Sequence, residues 1–107
     1  MTRLEIVELL QRSQLAVERA ILRIHSFQTA DEQQSGVTKH LNGMGWNGYD
    51  AEFGTSLARW IENGIGRYRK PLGQTLTTRQ LPMARKLAIK YSKQLEKVEN
   101  GSSQMTV

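Results

Sequence analysis

The sequence predicts an all-α fold. Three stretches repeat apolar residues at steps of three and four, and each has a helix-start signal. No segment reads convincingly as a strand. The expected architecture is a small three-helix domain over residues 1–98, with helices near 3–27, 51–63 and 78–98. A long Gly-rich loop should separate the first two helices, and residues 99–107 should form a flexible tail.

Thr2 and Glu5 have capping-box spacing, so the first helix should open there. Val7, Leu10, Val17, Ile21 and Ile24 then mark one face, with polar Gln14 in the place of a missing apolar residue. Leu4, Leu15 and Leu22 widen the stripe. Such a helix would be about 37 Å long, longer than any other in the chain. Its apolar face either wraps its own domain or leaves part for a homodimer seam.

Residues 28–49 read as irregular, apart from one helical turn suggested by Thr29 and Glu32. The glycines at 36, 43, 45 and 48 punctuate the segment. The second helix should open at Asp50, a favoured N-cap residue, with Glu52 placed well for the helix dipole. Phe53, Leu57, Trp60 and Ile61 form its apolar face, and Gly54 and Ser56 suit close packing. Asn63-Gly64 should end it.

The third helix carries the clearest start signal. Thr77 and Gln80 make a capping box, and Leu76 and Leu81 are spaced as a hydrophobic staple. Ala84, Leu87, Ala88, Tyr91, Leu95 and Val98 would face inward. Phe53, Leu57, Ile61, Leu87, Tyr91 and Leu95 are expected to be buried together.

Charge is distributed unevenly. Residues 59–97 carry a net charge of about +8, while the rest of the chain sums to about −3. Lys86, Lys90, Lys93 and Lys97 share one face of the third predicted helix, begun by Arg79 and flanked by Arg85. Arg67, Arg69 and Lys70, with Arg59 before them, extend the patch, and Tyr68 offers a stacking face. A ribbon of this kind can neutralise several phosphates and release their counterions. It can equally be an ordinary solvated helix face.

Other chemistry finds little support. The chain has no cysteine, which excludes disulfides, thiolate catalysis and cysteine-based zinc sites. His25 and His40 have no metal-ligand spacing, so no metal is expected. The run 43–48 reads GxGxxG, but 37–41 is a poor strand and no βαβ unit is in prospect; turn chemistry explains the glycines better. In that loop Trp46 and Tyr49 either offer stacking faces or, as expected for Trp46, fold onto the core. No nucleophile has a base placed near it, so neither enzyme activity nor a cofactor is expected. The N-terminus lacks a signal-peptide core, and no run is long enough to span a membrane. A cytoplasmic location is expected.

One pattern joins the second and third predicted helices. Gly45-Trp46-Asn47-Gly48-Tyr49-Asp50, Phe53-Gly54 and Ser56-Leu57-Ala58 are followed by Leu76-Thr77, Gln80, Ala84, Lys86, Lys90-Tyr91 and Gln94-Leu95. This half of the chain resembles a short helical module recurring in phage, plasmid and helicase-associated proteins. It departs from that pattern in a longer linker containing residues 67–73. The resemblance implies DNA or RNA transactions and a Trp46 packed beneath the third predicted helix. Two functions are therefore expected. One is a nucleic-acid-binding module using Arg59, Arg67, Tyr68, Arg69, Lys70, Arg79, Arg85, Lys86, Lys90, Lys93 and Lys97. The other is a protein-binding adaptor or inhibitor from a mobile element, docking on a nucleic-acid-processing enzyme.

Overall fold

The structure, a computed structural model, describes residues 2–35 and 45–105, with side chains described for 2–27 and 45–98. Most of the Gly-rich loop, including His40 and Gly43, and the side chains of the tail lie outside the described residues. The described secondary structure is all helical: α1 (Arg3–Arg12), α2 (Gln14–Ser35), α3 (Ala51–Gly66), α4 (Gln80–Lys90) and α5 (Ser92–Met105). Five helices stand where the sequence predicts three, because two of the predicted helices are broken.

The first break is at Ser13, whose backbone is extended (φ −126°, ψ 118°). Its N–H closes α1 onto the Leu9 carbonyl at 2.9 Å, and its Oγ accepts from the Ala16 N–H at 3.1 Å. Ser13 thus ends one helix and caps the next. Arg85 Nε takes the Leu10 carbonyl at 2.8 Å, close to the end of α1. The bend lets α1 pack on α4 and α5 instead of extending α2 as a rod. One long first helix is thereby replaced by two, of 10 and 22 residues. The other end differs too, since α2 runs on to Ser35 rather than ending near 27.

The second break is at Tyr91 (φ −98°, ψ 16°). Its N–H bonds the Leu87 and Ala88 carbonyls, while its own carbonyl receives the Gln94 and Leu95 N–H groups. Asn63-Gly64 does not end α3, which continues to Gly66. Gly64 is needed for another reason: a Cβ there would lie 2.8 Å from Thr75 Cγ2. Chain reversal comes later, at Arg69, which adopts φ 55°.

Both predicted capping boxes form. Thr2 N–H donates to Glu5 Oε1 at 2.8 Å, and Glu5 N–H to Thr2 Oγ1 at 3.3 Å. Thr77 N–H donates to Gln80 Oε1 at 2.9 Å, and Gln80 N–H to Thr77 Oγ1 at 3.2 Å. A turn at 78–79 precedes the regular part of α4, with Leu76 buried and Leu81 half-buried beside it.

The central helix α2 packs on all four others. Val17, Ile21 and Ile24 meet Leu57, Ile61, Ala84, Leu87, Tyr91 and Trp46 in one core. Two expectations for α3 fail. Phe53 is 39% exposed and Trp60 46% exposed. The inward row is Gly54, Leu57, Ala58, Ile61 and Gly64. Gly54 turns inward because the Trp46 ring occupies the space a side chain would need: a Cβ there would fall 2.3 Å from Trp46 Cε2. On the first stripe Leu4 and Leu15 are exposed, while Ile6 and Ala20 are buried. Leu95 is half-buried against the core.

Candidate functional site

Seven residues that carry the sequence resemblance, Gly45, Trp46, Asn47, Asp50, Lys90, Tyr91 and Gln94, meet in one clip. Gly45 N–H donates to Gln94 Oε1 at 2.9 Å, and Gln94 Nε2 returns a bond to the Gly45 carbonyl at 3.1 Å. The Trp46 ring meets Tyr91 edge-on, with centroids 5.1 Å apart. Tyr91 Oη accepts the Asn47 N–H at 2.9 Å and donates to Asp50 Oδ2 at 2.8 Å. Lys90 Nζ reaches the same oxygen at 2.7 Å. The two halves of the pattern therefore hold each other, and the buried contacts give the spacing a folding role.

Asp50 sits at the N-cap position of α3 but makes no side-chain cap. Its carboxylate turns to Lys90 and Tyr91, while Asn47 Oδ1 accepts the Asp50 N–H at 2.8 Å. Burial pushes the Asp50 carboxyl up, but hydrogen bonds and the Lys90 charge outweigh this and hold it below its ordinary value. Tyr91 moves the other way, to about 12, through burial and the neighbouring carboxylate.

A second buried carboxylate escapes the pattern reading. Glu18, on the inward side of α2, is fully buried. It accepts from Gln14 Nε2 at 2.8 Å, the Gly73 N–H at 2.9 Å, the Thr75 and Leu76 N–H groups at 3.1 Å, and Thr75 Oγ1 at 2.5 Å. Burial opposes its charge, yet these donors hold the carboxyl below its ordinary value. The sequence signal was an acid beside Val17 and three residues before Ile21, within the apolar stripe, with Gln14 one turn earlier. Gly73 (φ 97°) completes the bend, and a Cβ there would touch Leu15 at 3.0 Å.

This anchor positions the basic turn. Tyr68 and Lys70 N–H groups bond the Asn63 and Gly64 carbonyls, folding residues 67–70 over the end of α3. Arg59, Arg67, Tyr68, Arg69 and Lys70 are exposed there. Arg67 lies 5.8 Å from the Tyr68 ring centroid. On α4, α5 and the turn before them, Arg79, Lys86, Lys93 and Lys97 are exposed. Two predicted members have internal duties: Lys90 holds Asp50, and the half-buried Arg85 holds the Leu10 carbonyl. The cations of 59–97 thus fall into two groups, one around the end of α3 and one along α4 and α5. Among the described residues no cluster of His, Asp or Glu could hold a metal ion, and no helix is long and apolar enough to cross a membrane.

No protein-family model matches the chain, and neither the curated proteins nor the solved structures compared with it give a significant match.

Proposed function

We propose that the chain is a small basic nucleic-acid-binding module that contacts phosphates through the 67–70 turn and the outer side of α4 and α5. One observation carries this reading. Arg59, Arg67, Arg69, Lys70, Arg79, Lys86, Lys93 and Lys97 are all exposed, and among the described residues none is held in an ion pair. No carboxylate among the described residues lies within ion-pair distance of them, as expected where phosphate supplies the partner. Arg69 adds support: a left-handed backbone costs a non-glycine residue about 1–2 kcal/mol.

Fluorescence anisotropy with single- and double-stranded DNA and RNA across a salt series tests the reading. Lys86→Ala, Lys93→Ala and Lys97→Ala should each flatten the slope of log affinity against log salt by about one unit. Absence of binding to any of the four at about 50 mM salt, where phosphate contacts are strong, overturns it.

A second reading, a protein-binding adaptor or inhibitor, draws on apolar side chains left in solvent, chiefly Leu4 at 77% and Met83 at 53% exposure. It calls for capture of a protein partner that Leu4→Asp or Met83→Asp abolishes, with no salt-dependent binding to oligonucleotides.

A further inference from the structure

The outer side of α3 combines an anchored aromatic ring with the basic turn. Ser56, Trp60, Asn63 and Arg67 follow at steps of four, three and four, and Arg67 keeps helical backbone angles at the C-cap. They therefore form one row on α3. Arg59, Trp60 and Asn63 share a shallow concavity of about 600 Å³. Trp60 is 46% exposed, yet its Nε1 donates to the Thr75 carbonyl at 2.9 Å. Glu18 holds the Thr75 N–H in turn, so the indole is tethered to a segment fixed from the core. A tethered, half-exposed indole offers a flat apolar face with little conformational freedom left to lose.

The surroundings select the occupant. Arg59 and Arg67 stand on the helix beside the indole, and the turn that folds back over Asn63 and Gly64 adds Tyr68, Arg69 and Lys70. Glu52, at the far end of the concavity, is the one acid among the described residues that line it. Flat aromatic faces among cations match unpaired bases on a phosphate chain, because each base can stack while its phosphate meets a cation. In a duplex the bases are already stacked on each other, and their faces are closed to an indole. We infer that the row on α3 is a single-strand-binding track in which Trp60 stacks against a base. This rests on the nucleic-acid reading above and names its substrate class.

The chain has two tryptophans, and Trp46 is buried, so Trp60 is the one able to report stacking. Titration with an oligothymidylate of about a dozen nucleotides should quench the exposed part of the emission. A matched duplex should not. Trp60→Phe should retain binding by anisotropy and lose the quench. Trp60→Leu, with folding checked by thermal melting, should weaken oligothymidylate binding by about five- to 150-fold and shift duplex binding by less than about twofold. Binding by anisotropy with no Trp60 quench and unchanged affinity in Trp60→Leu overturns the track and leaves the phosphate reading standing. No binding to either probe overturns both.

Discussion

The Tyr91 hydroxyl donates to the Asp50 carboxylate at 2.8 Å while accepting the Asn47 N–H, joining the break between α4 and α5 to the start of α3. One phenol oxygen satisfies both groups, and the Tyr91 ring stands at a right angle to that of Trp46. Removing that oxygen leaves the ring packed but two polar groups short of a partner.

Tyr91→Phe should therefore destabilise the fold by about 1–3 kcal/mol, the range for a buried polar group deprived of its hydrogen bond. Urea denaturation measures this. A loss below about half a kcal/mol would place the clip outside the stabilising core.

Gly54→Ala tests the other face of Trp46. The added methyl meets the indole at 2.3 Å from Cε2, so the ring or the helix must move. Overpacking of this kind costs about 1–3 kcal/mol or more. The near-ultraviolet circular dichroism of the tryptophans should change with it. An unaltered spectrum with full stability would mean the contact relaxes freely.

Acid should loosen the fold through Glu18 and Asp50. Both carboxyls lie below their ordinary values of 4.5 and 3.8 in the folded state. Their stabilisation is fully present above those values and is lost as pH falls through the lower folded ones. Glu18→Gln should lower stability at neutral pH and flatten its decline below about pH 4.5. Stability measured from pH 7 to pH 2 checks both parts. A decline as steep as that of the wild type would assign the acid response elsewhere.

Arg69→Gly relieves the left-handed backbone and should stabilise the protein by up to about 1 kcal/mol, less the entropy glycine adds to the unfolded chain. Arg69→Ala should give no such gain. Both should weaken oligonucleotide binding, a combination expected of a residue held in strain for its charge. A melting temperature that falls in Arg69→Gly would show that the side chain supports the turn.

Helix content and the capping boxes at Thr2 and Thr77 were legible because they depend on neighbours in sequence. So was Trp46 as a core residue. The break at Ser13 was visible only as Gln14 interrupting the apolar stripe. Its meaning came largely from partners in other elements: Arg85 for the end of α1, and Leu76 for Gln14 itself. Phe53 and Trp60 were placed inside because periodicity counts apolar residues and does not register that Gly54 makes room for a ring from another segment. Lys90 looked like one more cation in a row, since its spacing carries no trace of Asp50. Helical phase alone also could not show that Tyr91 interrupts the row between Lys90 and Lys93.

Glu18 also bears on the order in which the chain can assemble. Its partners at 73, 75 and 76 lie more than fifty residues downstream, so α2 cannot bury that carboxylate while it is the only part synthesised. Without those donors, burying the charged carboxylate would be costly, so its burial depends on that later segment. Once Gly73, Thr75 and Leu76 supply their N–H groups, the same charge ties the late-made turn to the first-made half. Closing the core around α2 and placing the segment 73–76 are therefore one event for this carboxylate, not two.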